Sequence, residues 1–379
     1  MNKKKIIRNV IFVLAILILM IVLVVNLGDI KKIWHYISQT NYLIVLLAIG
    51  ILLLYAVINQ LSLISLAKFR YKEIKYVDCY CITGSEYFFN AITPFSSGGQ
   101  PFEAYAFKRK GMPLSNSTSI LLINFIAYQV ILNVISVVFM IFFYGRVKEQ
   151  IHSFVWLLLL GFSINALIMV GLVSIGISKT TRKFFLKLFD LICKIKPLRR
   201  FQKKHDNIEK YMENMQLAFK EIVKSPKQMI WVTFTKICSF AIYYSIPFFA
   251  LWAVNAKMEI SDLPYIMALT SFTLTIATWV PTPGGAGGIE VAFTLLYTPL
   301  LSSPSYGWTD DEAKNICVAV VVIWRLLTYY LLILYGLILY LLFEKRDKPQ
   351  LNVVSENMVE DNFTNNVDVV SEEESLETK

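Results

Sequence analysis

Charge is scarce in this chain: 17% of its 379 residues are Asp, Glu, Lys or Arg, against 56% hydrophobic. One soluble core of this size cannot hide so much apolar surface, which excludes an ordinary water-soluble fold. The five cysteines, Cys79, Cys81, Cys193, Cys238 and Cys317, are scattered without zinc-type spacing, and His35, His152 and His205 lie far apart. That pattern excludes a disulfide framework and points to no metal site. No Gly-x-x-x-x-Gly-Lys-Ser/Thr run is present to cradle a nucleotide phosphate, so no cofactor is expected.

What is present is long apolar runs. A helix crosses a hydrocarbon core of roughly 30 Å with about 20 apolar residues, each adding about 1.5 Å. Residues 10–27, 42–66, 117–144, 154–177, 229–254 and 316–343 meet that length almost without charge and predict six full spans. Lys3, Lys4, Lys5 and Arg8 stand before the first run, as in a signal peptide. The run is long, and Leu27-Gly28-Asp29-Ile30 offers no small-x-small cleavage site, so it is read as a retained helix.

Lysine and arginine accumulate on the cytoplasmic side of inner-membrane proteins. With the N-terminus inside, 28 basic residues fall on the cytoplasmic side and six (Lys31, Lys32, Arg146, Lys148, Lys257, Lys314) outside. This split requires residues 76–107 to enter from the cytoplasm and return to it, and residues 263–296 to do the same from outside. The expected fold is therefore an all-α polytopic membrane protein, about six full spans plus two re-entrant helical hairpins, with both termini cytoplasmic in a bacterial inner membrane. Residues 1–343 form one transmembrane domain. Within it, residues 179–228 are a basic segment whose Phe184, Phe185, Leu188, Leu191 and Ile192 recur at helical spacing, as in amphipathic helices lying on the inner leaflet. Residues 344–379 read as a disordered acidic tail.

Glycine and proline are few, 16 and 12, but they cluster inside both hairpins. The first carries Thr93-Pro94-Phe95-Ser96-Ser97-Gly98-Gly99-Gln100-Pro101-Phe102-Glu103. The second carries Thr282-Pro283-Gly284-Gly285-Ala286-Gly287-Gly288-Ile289-Glu290. In both, Thr-Pro is followed after three residues by Gly-Gly, with a glutamate soon after. Broken backbone at membrane depth survives only where protein buries it or water reaches it. Two such breaks entering from opposite faces are the arrangement expected of an inverted-topology repeat, with helix ends exposing N–H groups to an anionic substrate. Thr93, Pro94, Gly98, Gly99, Thr282, Pro283, Gly287 and Gly288 are thus candidate substrate-binding residues.

Charges at membrane depth add Glu86, Glu103, Glu290 and Arg325 to that set. An arginine at a helix centre costs about 2.5–3.5 kcal/mol on insertion scales, and Glu290 is its expected partner. Lys236 lies close enough to the end of its span to snorkel toward water. No catalytic residue is singled out.

The first motif, continuing through Ala104-Tyr105-Ala106-Phe107-Lys108-Arg109, and the second, with Pro281 before it, resemble the flippase-like transmembrane region of the lysylphosphatidylglycerol synthases, also called multiple peptide resistance factors. The likeness covers roughly residues 1–343, and Arg325 falls where the family tends to carry an arginine. The resemblance implies translocation of a charged-headgroup phospholipid, lysylphosphatidylglycerol-like, linked to envelope charge and resistance to cationic peptides. It also implies an anionic or aminoacylated phospholipid as ligand, and a separate synthase as a candidate partner. Full-length members add a soluble domain that loads lysine from lysyl-tRNA onto phosphatidylglycerol; the tail here reads as too short for it, so no nucleic acid is expected to bind unless the chain is a lysyltransferase. The alternatives are a phosphatidylglycerol lysyltransferase, as the family name implies, and a non-transporting membrane partner of a synthase.

Overall fold

A computed structural model describes residues 28–93, 96–150, 155–193, 205–277, 280 and 282–347. The expected first span, residues 194–204 of the basic segment and the tail from residue 348 onward lie outside the described residues.

Helix boundaries follow local chemistry. Helix α1 (Ile30–Ser38) starts at Asp29, whose carboxylate accepts the backbone N–H groups of Lys31 and Lys32. Asn41 caps α2 (Tyr42–Arg70) by accepting the N–H of Leu43. After α3 (Tyr76–Ala91), α4 (Gly99–Arg109), α5 (Leu114–Phe142), α6 (Tyr144–Gln150), α7 (Val155–Ile177), α8 (Lys179–Cys193) and α9 (His205–Val223), Pro226 opens α10 (Pro226–Ala253) from the first turn, where its missing N–H costs nothing. Helices α11 (Leu263–Ala277) and α12 (Gly288–Leu301) follow. Thr309 and Glu312 form a reciprocal capping box at the start of α13 (Asp310–Arg325), whose first turn carries Asp310, Asp311 and Glu312 against the helix dipole. A π-helical segment, Leu326–Leu331, joins α13 to α14 (Leu332–Asp347) without breaking the rod. No strand occurs among the described residues.

Among the described residues, six stretches are long and apolar enough to cross a membrane: Tyr42–Arg70, Leu114–Phe142, Leu158–Ile177, Pro226–Ala253, Ile260–Ala277 and Asp310–Asp347. Five match expected spans; the fifth in that order is instead the first arm of the second hairpin together with its leading 3-10 turn. The protein is a multi-pass, all-α membrane protein.

Both expected hairpins form. In the first, α3 and α4 run antiparallel: Phe89 and Phe102 stack at 4.0 Å near the tip, and Lys110 Nζ lies 3.8 Å from Asp78 Oδ2 at the base. In the second, the Tyr297 hydroxyl of α12 donates to Ile266 O of α11 across 2.9 Å. With 16 and 11 residues in the first pair and 14 in α12, these three arms reach about 17–24 Å, short of a roughly 30 Å core, whereas α11 with its leading 3-10 turn spans 18 residues and is long enough to cross.

The order helix, hairpin, helix thus occurs twice: α2, α3–α4, α5, and again α10, α11–α12, α13–α14. The two opening helices pack along their length in opposite directions. Asn41 N–H donates to Ala253 O, Tyr55 meets Tyr243 at 4.8 Å, Lys236 Nζ donates to Asn59 Oδ1, and Ser65 Oγ donates to Gln228 Oε1. Partner numbers fall as α2 rises, so the opening helices of the two units run antiparallel, as an inverted repeat requires.

The base of the first hairpin is tied to the last helix by charge. Arg109 pairs with Glu344 at 2.7 Å and also with Asp347; Lys110 pairs with Asp347 at 2.8 Å, and Arg346 with Asp78 at 2.9 Å. Between the repeats, α9 does not lie free on a surface. Its Tyr211 hydroxyl donates to Thr118 Oγ1 of α5, and Gln216 Nε2 donates to Ile175 O of α7. Helix α8, by contrast, leaves Phe184, Phe185, Leu188 and Leu191 exposed.

Candidate functional site

The first hairpin tip is closed by side chains of α3. Thr93 Oγ1 donates to Phe89 O and accepts the N–H of Gly98 at 2.8 Å, while Asn90 Oδ1 accepts the N–H of Gly99 at 2.8 Å. Pro94 lies outside the described residues. A β-carbon on Gly98 would stand 2.6 Å from Thr93 Cγ2, and one on Gly99 would stand 2.6 Å from Glu86 Cγ. These glycines therefore admit neighbouring side chains. Their N–H groups, expected to face a substrate anion, donate in this structure to Thr93 and Asn90.

The second tip needs backbone that ordinary residues adopt rarely. Gly284, Gly285 and Gly287 have φ of 59°, 66° and 91°, left-handed conformations that glycine enters without steric cost. Thr282 Oγ1 donates to Ala286 O across 2.7 Å, bracing the turn that begins at Thr282 and Pro283. Gly287 N–H donates to Glu290 Oε2 at 2.6 Å, so this amide too is taken from within. Gly288 is required for space rather than for a positive φ: a β-carbon there would meet Val280 Cγ2 at 2.3 Å.

Arg325 stands behind this tip as the last residue of α13. Its Nε is 2.8 Å from Glu290 Oε1, its Nη2 donates to Gly284 O at 3.1 Å, and its guanidinium lies 4.5 Å from the ring centre of Tyr329. Glu290 is 0% and Arg325 4% exposed, so the pair expected from the cost of burying either charge alone is present. Tyr329 also reaches the other tip: its hydroxyl donates to Ala91 O, at the end of α3, across 3.0 Å. Tyr329 and Tyr330 lie on the π-helical turn with ring centres 5.1 Å apart, and such turns recur at functional positions.

Between the tips is a cavity of about 360 Å³, of a size that holds a polar headgroup or small ligand. Of the residues singled out in the sequence, Glu86, Glu103, Thr282 and Arg325 line it. Thr93, Gly98, Gly99, Gly287, Gly288 and Glu290 shape or buttress its walls from behind. Sequence reasoning missed Lys236. It is 3% exposed, lines the cavity, donates from Nζ to Asn59 Oδ1 at 2.9 Å, and interacts electrostatically with both Glu86 and Glu103. Its position ten residues past Pro226, about 15 Å into the helix, was the available signal that its ammonium faces inward. Asn59, Asn90, Gln129 and the phenols of Tyr55, Tyr128 and Tyr243 complete a polar and aromatic wall. Among the described residues, no three His, Cys, Asp or Glu side chains gather in a set that could hold a metal ion.

The arrangement has two poles. Glu86, Glu103 and Lys236 belong to the first hairpin and the opening helix of the second repeat; Glu290 and Arg325 belong to the second hairpin and the end of α13. Glu86, Glu103, Lys236 and Arg325 line the cavity itself, whereas Glu290 stands behind Arg325, in a setting where water is largely replaced by protein and charges act strongly.

Comparison with known proteins agrees with this architecture. One relative, "Uncharacterized protein MG306 homolog" of Mycoplasma pneumoniae, is 22% identical over 382 residues, covering 93% of this chain and 92% of its own length. The family described as the lysylphosphatidylglycerol synthase TM region matches residues 10–336, which include both hairpins, Lys236 and Arg325. On that match, the chain belongs to the family of the lysylphosphatidylglycerol synthase transmembrane region.

Proposed function

We propose that this protein moves a charged-headgroup phospholipid, of the lysylphosphatidylglycerol kind, between the leaflets of a bacterial cell membrane. The observation that carries this reading is the cavity between two hairpin tips of inverted repeats, with Lys236 and Arg325 set among Glu86, Glu103 and Glu290. Inverted repeats with broken helices are the usual frame of alternating access, in which one repeat rocks against the other around a fixed polar site. A lipid headgroup resists crossing hydrocarbon because its charges lose water. Side chains of both signs replace part of that water, while the acyl chains remain in the bilayer beside exposed apolar side chains such as Leu54 of α2 and Ile338 and Leu341 of α14.

On this reading the basic segment and both termini face the cytoplasm, and substrate reaches the cavity from that leaflet. The experiment is reconstitution into liposomes carrying acyl-chain-labelled phosphatidylglycerol, its lysyl ester or phosphatidylethanolamine, followed by the rate at which label becomes accessible from the opposite leaflet. A family name containing "synthase" favours a second reading, lysyl transfer from lysyl-tRNA to phosphatidylglycerol. Formation of lysylphosphatidylglycerol by the purified chain supplied with lysyl-tRNA would establish that activity; lipid transfer without it supports translocation alone.

A further inference from the structure

The carboxylates at the first pole outnumber their counter-charge. Glu86 and Glu103 share the single ammonium of Lys236, whereas at the second pole Glu290 is matched by Arg325. Glu86 has a partner besides, because Asn90 Nδ2 donates to its Oε1 at 3.1 Å. Glu103 is different. Its side chain is 1% exposed, and its buried Oε1 has no hydrogen-bond partner among the described residues. Gln129 Oε1, on the same cavity wall, is a second buried acceptor without a donor. A lone buried carboxylate oxygen forfeits its hydration without return, and this wall is short of one positive charge and short of donors.

One proton answers both deficits. It removes the surplus negative charge and converts a carboxylate oxygen of Glu103 from acceptor to O–H donor. We propose that Glu103 is the proton-binding residue of the transport cycle, taking up one proton when the cationic part of the headgroup leaves the cavity and releasing it when the next one enters. The inference rests on the transport reading of this cavity and adds its energy source. The charged and titratable groups that line the cavity with Glu103 are Glu86 and Tyr87 of α3, Tyr128 of α5, Tyr55 of α2, Lys236 and Tyr243 of α10, Arg325 of α13 and Tyr329 of the π-helical segment. The phenols stay neutral near neutral pH, Arg325 is committed to Glu290, and Lys236 opposes only one carboxylate. The exchange is balanced: a cation leaves as a proton arrives, so the charge of the cavity is the same in both occupied states.

The test is the steady-state leaflet distribution of the labelled lipid that the wild-type protein transfers, in liposomes with an imposed pH gradient and the membrane potential clamped. One proton exchanged per headgroup shifts that distribution about tenfold per unit of pH gradient, toward the leaflet facing the more acidic compartment. Glu103→Gln abolishes the response, and Glu103→Asp retains it. A wild-type distribution that ignores the gradient overturns the coupling while leaving lipid transfer intact, and so does a gradient response that survives in Glu103→Gln. If no labelled lipid moves at all, the transport reading itself fails. Infrared difference spectra across a pH titration keep the site decidable even where Glu103→Gln is inactive: a protonated-carboxyl band is expected in the wild type and absent from Glu103→Gln, and a band unchanged by the substitution contradicts the assignment.

Discussion

Lys236 Nζ donates to Asn59 Oδ1 across 2.9 Å, joining the two antiparallel helices with which the inverted repeats begin. The contact sits where Glu86 and Glu103 also reach the cavity, so the lysine is both a helix-to-helix tie and a counter-charge. Lys236→Met should destabilise the protein by about 1–3 kcal/mol, because it leaves buried acceptors unsatisfied. Adding Glu103→Gln should return part of that loss. Thermal unfolding in detergent checks it. A lysine that merely snorkelled would give a change within about 0.5 kcal/mol.

Arg325 and Glu290 supply a second comparison. Removing either partner alone should cost about 3–5 kcal/mol, whereas replacing both by Gln should cost much less, because no charge is left stranded. The double-mutant cycle measured by unfolding gives the coupling directly. If the double variant recovers folding but not lipid transfer, the pair serves transport as well as stability; strictly additive losses would mean that the two side chains do not depend on each other.

At the second tip, Gly284→Ala should be destabilising by about 1–3 kcal/mol, since it combines a positive φ with a β-carbon 2.0 Å from Tyr329 Cε2. Tyr329→Ala makes room for the methyl group. The two substitutions together should therefore cost less than the sum of their separate effects, and equal sums would show that the tip relaxes without Tyr329.

Orientation is checked with exposed positions on the two sides. Lys187→Cys in α8 should resist an impermeant thiol reagent in intact cells and react once the membrane is opened, whereas Lys31→Cys at the start of α1 should react in both. This follows from the excess of lysine and arginine around the basic segment. The reverse labelling pattern would turn the whole topology over.

The fold was largely legible because its devices are local. Thr-Pro and Gly-Gly mark the breaks at 93–99 and 282–288, and basic residues at both ends of residues 76–107 require a returning hairpin. Arg325 and Glu290 were legible as a pair because each is expensive alone. The glycine roles were not. Whether Gly98 N–H is free depends on the rotamer of Thr93, and Gly288 is held by Val280, neither of which spacing reveals. Lys236 was missed for a tertiary reason: its inward direction is set by the antiparallel packing of α2 on α10, which a single-chain hydropathy pattern does not contain.

The central claim is that a headgroup passes through the cavity between the tips. Gln100 lines that cavity, and Leu334 is 56% exposed on the outer surface of α14. The most direct measurement is the leaflet-transfer rate of reconstituted Gln100→Cys and Leu334→Cys before and after complete reaction with a bulky polar thiol reagent, beside identically treated wild type. Blocking at position 100 should reduce transfer to the protein-free background while wild type and the position 334 variant continue to transfer lipid; an undiminished rate after full modification at position 100 would contradict the account.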